Sequence, residues 1–294
     1  MTITKVYTRK EIDELYHSLN RGEKRKTPPY AIFQIKMSDC MITAYESLKV
    51  VFQGNGASFY SDLIQGKSTS KTQATKATSS KEVFPQAGSD EVGTGDYFGP
   101  VVVCATYVEE KDQEYLIQLG IRDSKQIKDA DILEIAPKLI ERLNYSILIL
   151  DNYKYNEVHK TNNMNKIKAK LHNQAFINLQ TKYNLKLTTT YVDQFTPPAS
   201  YFGYLKEEKK VIKNIHFETK AEDKFLSVAC ASIIARYYFL DTLKKMDEKY
   251  DFHFPKGASA KVDKLGREFV LKHGETCLLK VSKYHFANTD RIIK

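Results

Sequence analysis

The segment Gly88-Ser89-Asp90-Glu91-Val92-Gly93-Thr94-Gly95-Asp96-Tyr97-Phe98-Gly99-Pro100 puts two adjacent carboxylates at the mouth of a glycine-rich turn. Carboxylate oxygens placed there suit a hard cation such as Mg²⁺ or Mn²⁺. The glycines let backbone N–H groups approach a phosphate or sugar with no Cβ in the way. Taken alone, the segment also fits an ordinary acidic turn between two strands. Further acids add weight to the metal-binding reading. Asp193 ends the β-branched run Thr188-Thr189-Thr190-Tyr191-Val192, and acids at the carboxyl ends of strands in an open α/β sheet occupy the usual site crevice. Glu222 and Asp223 precede a long apolar run, where acids also cap a helix and complement its dipole. Asp90 and Glu91 pose a geometric problem, because neighbours in a regular strand face opposite ways. Both serve one site if the strand ends or bulges there, which Gly93 and Gly95 permit.

The elements that must position these acids follow from the apolar pattern. Strand-like runs cover 87–91, 100–108, 145–151, 187–194 and 211–218. Helix-like runs cover 114–119, 129–143, 164–183 and 223–249, with a peripheral one at 263–272. That order predicts an α/β domain over 84–294, a mixed sheet with helices on both faces. Residues 66–83 are rich in Ser, Thr and Lys and read as a flexible linker. Residues 1–65 form a separate module. Thr8 and Glu11 have the form of a capping box, strand-like runs cover 30–38, 41–47 and 49–53, and a short helix covers 58–65. Such an α-β-β-β-α unit leaves one sheet face free for Lys36, Lys49 and Gln53, with Arg21, Lys24, Arg25 and Lys26 near its edge. That face is either a solvated surface or a binding one.

Composition narrows the partners. The 294 residues are 42% hydrophobic, enough for one large core and a small one, and the net charge of +9 favours a polyanion. No run approaches the roughly 18 consecutive apolar residues of a membrane span, and the N-terminus does not read as a signal peptide. Cys40, Cys104, Cys230 and Cys277 are scattered without a C-x-x-C pair, and Cys104 and Cys230 lie in apolar runs. These features predict a cytoplasmic protein with no membrane partner, monomeric by default.

Four ordered motifs make the chain recognisable. These are the segment 88–100, Arg122-Asp123-Ser124-Lys125, Tyr191-Val192-Asp193-Gln194-Phe195, and Lys220-Ala221-Glu222 followed by Ser227-Val228-Ala229-Cys230-Ala231-Ser232-Ile233-Ile234-Ala235-Arg236. With them the chain resembles the type 2 ribonucleases H, and within these the ribonuclease HIII branch. The resemblance implies an RNase H-like fold preceded by a small α+β domain like half of the TATA-box-binding-protein fold. It implies an endonuclease that cuts the RNA strand of an RNA/DNA hybrid with two Mg²⁺ or Mn²⁺ ions, leaving 5′-phosphate and 3′-hydroxyl ends. Asp90, Glu91, Asp193 and Glu222 match its four acids, with Asp223 competing for the last place. Backbone groups of Gly93, Thr94 and Gly95 are implied to read the ribose 2′-OH, and Ser124 and Lys125 to lie beside the substrate strand. Lys256, Lys261, Lys160 and Lys166 are candidate phosphate contacts. His159 and His172 read as helix-surface residues with no part in the chemistry.

The HII branch usually carries Gly-Arg-Gly where this chain has Gly93-Thr94-Gly95, so cutting at a lone ribonucleotide in DNA is the first alternative. A non-catalytic hybrid-binding protein, its acids serving as caps and turns, is the second.

Overall fold

The computed structural model describes residues 2–19, 22–28, 30–37, 39–54, 56–61, 82–121 and 127–294. Contacts divide the chain into two compact units, Met1–Thr78 and Ser79–Lys294. The predicted linker lies outside the described residues except at 82 and 83.

The first unit runs β1 (Thr2–Val6), α1 (Arg9–Ser18), β2 (Glu23–Lys24), β3 (Ala31–Lys36), β4 (Cys40–Tyr45), β5 (Lys49–Gly54) and α2 (Ala57–Ser61). The capping box opens α1 as expected: Thr8 Oγ1 accepts from the Glu11 amide, and the Glu11 carboxylate accepts from the Thr8 amide. The sheet is antiparallel in the order β1-β5-β4-β3-β2, so it has two strands more than the sequence pattern suggested. Neither extra strand has an apolar signature of its own. β1 is a short edge strand of half-buried and exposed residues, and β2 is two exposed residues long. Phe33, Ile35, Ile42, Ala44, Val50 and Phe52 turn to one face and pack with Ile12 and Leu15 of α1. Lys36 pairs with Met41, Met41 pairs with Gln53, and Lys49 lies two pleats along β5, so Lys36, Lys49 and Gln53 share the opposite face.

The second unit contains β6 (Gln86–Val92), β7 (Val101–Val108), α3 (Gln113–Gln118), α4 (Asp129–Arg142), β8 (Asn144–Leu150), α5 (Asn152–His159), α6 (Met164–Lys182), β9 (Thr190–Asp193), α7 (Pro198–Tyr204), β10 (Ile215–Glu218), α8 (Leu226–Tyr250), α9 (Ala260–His273), α10 (Leu278–Val281) and α11 (Ala287–Ile293). Its sheet has the order β10-β9-β6-β7-β8, antiparallel across β6-β7-β8 and parallel across β6-β9-β10. Alternation along β7 divides the core. Val102 and Cys104 pack with α8 and α4, while Val101, Val103 and Ala105 pack against α6. By length and composition alone α8 passes for a membrane span, yet its apolar residues, Cys230 among them, are buried in this core. Helices α5, α7, α10 and α11 are short and were not legible as periodic runs.

Helix α8 comes unusually close to β6. A Cβ on Gly88 would lie 2.5 Å from the Ser227 hydroxyl and the Val228 amide, so only glycine admits the helix here. The first turn is then pinned to the sheet. Ser227 Oγ donates to Gln86 Oε1 at 2.7 Å, and Thr106 Oγ1 donates to the Ser227 carbonyl at 2.7 Å.

Candidate active site

Asp90 and Glu91 lie in the last steps of β6, and the strand neither ends nor bulges at them. Pairing with β7 is unbroken from Gln86↔Val108 through Asp90↔Cys104 and Glu91↔Val103 to Val92↔Val102. The expected bulge is therefore absent, because the flanking ladder leaves no unpaired residue to form one. Alternation then sends Asp90 to the α8 face and Glu91 to the α6 face.

Glu91 is met there by two side chains of α6. His172 Nε2 lies 2.8 Å from Glu91 Oε2, and the Lys168 ammonium pairs with Glu91 Oε1. His172 is fully buried, which overturns its reading as a helix-surface residue. A carboxylate only accepts, so Nε2 carries a proton, and Ser89 Oγ, 2.7 Å from Nδ1, completes the ring's contacts. Ser89 and Glu91 share one face of β6, and Lys168 and His172 share one face of α6. The side chain of Phe195 closes the group, stacked on His172 at 5.4 Å with the Lys168 ammonium 3.9 Å from its ring centre. Burial works to raise the Glu91 pKa, but the hydrogen bonds and charges of His172 and Lys168 outweigh it and hold the carboxyl below its usual range. Sequence reasoning passed over Lys168 and read His172 as a surface residue. The signal was available, since 168 and 172 fall on the same helical stripe as the buried Ala175 and Leu179.

On the other face stand Asp90, Asp193 and the approach to Glu222. Ser89 pairs with Val192, so Asp90 and Asp193 stand level with one another one step further along the parallel strands. Its Oδ1 accepts from the Ala221 amide at 3.1 Å, tying the end of β9 to the 3-10 turn Ala221–Asp223 that carries Glu222. Asp90 Oδ1 accepts from the Glu91 amide at 2.8 Å. Burial and the charge of Glu91 push the Asp90 pKa up from 3.8 to about 7; Glu222 adds to the push, and bonds from Ser232 and the Glu91 amide oppose it. The charge of Glu222 is felt at Asp90. Among the described residues, no three His, Cys, Asp or Glu side chains stand together at metal-ligating range.

The glycine loop is braced from behind. Gly257 donates to Asp96 Oδ1 at 2.5 Å, and its carbonyl accepts from the Tyr97 amide at 2.9 Å. Fully buried Lys283 donates to the carbonyls of Asp96 at 2.8 Å and Gly99 at 2.6 Å. Among the described residues, neither the Thr94 nor the Gly95 amide makes a hydrogen bond, so both remain available for a ligand. Arg236 lies one helical turn beyond Ser232 and shares Asp129 with Lys256. Lys160 pairs with Glu157 at 2.7 Å, and Asn163 caps α6. His159 stacks on His285 at 3.8 Å. Ser124 and Lys125 lie outside the described residues.

Residues 87–289 match the family model described as ribonuclease HII, and residues 2–77 match a domain of unknown function, DUF3378. A ribonuclease HIII of Bacillus cereus is 41% identical over 295 residues, covering 96% of this chain and 95% of that protein. The chain belongs to the ribonuclease HIII family. It is accordingly an endoribonuclease of the RNase H type. A ribonuclease HIII of Bacillus licheniformis is 42% identical over 89% of this chain and 88% of its own length. Among solved structures, Bst-RNase HIII in complex with Mn²⁺ matches with a TM-score of 0.72 at 35% identity, covering 100% of this chain and 98% of that one. These matches agree with the mixed sheet and flanking helices, and with a separate strand-rich N-terminal unit.

Proposed function

We propose that the enzyme hydrolyses the RNA strand of RNA/DNA hybrids, holding two divalent ions on Asp90, Glu91, Asp193 and Glu222 and releasing 5′-phosphate and 3′-hydroxyl ends. The observation that carries this reading is that Asp90 and Asp193 end adjacent parallel strands at level positions, with the turn that bears Glu222 tied to Asp193 through the Ala221 amide. Acids crowded against an apolar core are costly unless a cation joins them, and an all-oxygen donor set fits Mg²⁺ or Mn²⁺. When bound, such ions supply a nucleophilic water at neutral pH, neutralise the phosphate and stabilise the departing oxygen.

The chain's own residues supply the rest. Asp90, Glu91, Asp193 and Glu222 would hold the ions, with the Lys168 and His172 side chains orienting Glu91 and the Ala221 amide orienting Asp193. The Thr94 and Gly95 amides face the ribose and select for its 2′-OH, which donates and accepts. Lys283 and Gly257 hold that loop against the core. Ser124 and Lys125 flank the substrate strand, and Lys256 and Arg236 meet its phosphates. Residues 1–65 bind the hybrid through the sheet face bearing Lys36, Lys49 and Gln53, raising its local concentration at the catalytic unit. The cysteines are free, which suits a reducing, cytoplasmic setting, and the enzyme acts as a monomer.

End-labelled RNA/DNA hybrid, double-stranded DNA and a duplex bearing one ribonucleotide, each with Mg²⁺, Mn²⁺ or EDTA, test the proposal. Metal-dependent cutting of the hybrid, lost in Asp90→Asn, is expected. Efficient incision at the single ribonucleotide moves the activity to the HII type, and binding without cleavage refutes catalysis.

A further inference from the structure

Both oxygens of Glu91 are engaged inside the chain, and the two partners differ in kind. His172 holds Oε2 as a hydrogen-bond donor, itself anchored through Nδ1 to Ser89. Lys168 holds Oε1 as a full positive charge, with only 10% of its side chain exposed and 12% of Glu91's. An ammonium this enclosed needs a counter-charge, and Glu91 provides it, with the face of Phe195 3.9 Å away.

If Glu91 ligates a divalent cation, as proposed above, that cation and the Lys168 ammonium compete for one oxygen. Two cations on a single carboxylate oxygen repel strongly in a poorly solvated site. We infer that Lys168 is a stand-in cation: it neutralises and orients Glu91 in the metal-free enzyme, and divalent ions enter by displacing it from Oε1. His172 is a positioning residue that keeps Oε2 fixed while Oε1 changes partner. The arrangement makes Lys168 a determinant of metal affinity although it ligates nothing.

The test is Mn²⁺ binding to the full-length protein by isothermal titration without substrate. Lys168→Met should bind Mn²⁺ at least about tenfold more tightly than wild type, because the competing charge is gone. Lys168→Gln, which keeps a donor for Oε1 without the charge, should tighten binding as well and serves if the methionine variant folds poorly. Lys168→Arg should bind no more tightly than wild type. In thermal unfolding, Mn²⁺ should raise the melting temperature of Lys168→Gln more than that of wild type. Unchanged or weaker Mn²⁺ binding in the charge-removing variants overturns the inference. Glu91→Gln separates this failure from that of the underlying reading: if it binds Mn²⁺ as wild type does, Glu91 is no ligand and the metal assignment itself falls.

Discussion

Gly93 and Gly95 lie two residues apart in the same loop, and alanine at each should separate what the fold requires from what the substrate requires. Gly93 has φ +92°, and a Cβ there would lie 2.2 Å from the Pro100 carbonyl and 3.0 Å from the Phe239 ring. A left-handed backbone costs a non-glycine residue about 1–2 kcal/mol, and overpacking adds about 1–3 kcal/mol. Gly93→Ala should therefore lose about 3 kcal/mol or more of stability. Gly95 shows neither constraint, since its φ is not positive and a Cβ would meet nothing within 4 Å. Its alanine variant should match wild type within about 1 kcal/mol, and a less entropic unfolded chain even favours it. Yet that methyl projects from the exposed stretch where the ribose is proposed to approach. A loss of at least about tenfold in kcat/KM on hybrid, or about 1.4 kcal/mol of transition-state stabilisation, is expected. Urea unfolding and steady-state cleavage of a labelled hybrid measure both quantities. Full kcat/KM in Gly95→Ala would refute the assignment of this loop to the substrate, and wild-type stability in Gly93→Ala would refute the packing argument.

Other expectations follow from the same geometry. Because the Asp90 pKa is raised from 3.8 to about 7, the folded metal-free protein binds more protons than the unfolded chain between those values. Its stability should fall as pH rises through that window, by about 4 kcal/mol at most, and Asp90→Asn in EDTA should flatten the slope and be the more stable form at pH ~8. Lys283→Met leaves the Asp96 carbonyl without its buried donor, at about 1–3 kcal/mol, while the Gly99 carbonyl keeps the Asn152 amide, so a lowered melting temperature with a raised KM for hybrid is expected. Glu222→Gln should abolish cleavage at saturating metal, while Asp223→Asn, at an exposed position, should retain activity within about threefold; the reverse pattern would reassign the fourth acid. Deleting residues 1–78 should raise KM for hybrid and leave kcat nearly unchanged, and an unchanged KM would remove the proposed binding role of that unit.

Much of the architecture was legible because long elements carry their burial pattern in the chain. The apolar β7, the long α6 and the long α8 were each readable within a few residues of their observed limits. The edge strands β1 and β2 were not, since an edge strand is defined by a partner distant in sequence rather than by its own hydrophobicity. The same limit applies at the site. Residue type and strand position marked Asp90, Glu91 and Asp193 as candidates, the family resemblance added Glu222, and the structure brings Asp90 and Asp193 level with one another on adjacent strands.

What the sequence determined by itself was the inventory: which acids end strands, which glycines free a backbone, and which runs must be buried. What only the tertiary structure decided was partnership. Glu91 turns to α6 because an unbroken ladder forces alternation, and there it meets Lys168 and His172 from roughly 80 residues downstream. Lys283, nearly 200 residues beyond the glycine loop, becomes its internal brace. Such pairings arise when separate elements pack face to face, and a local pattern of residue types carries no information about which faces will meet.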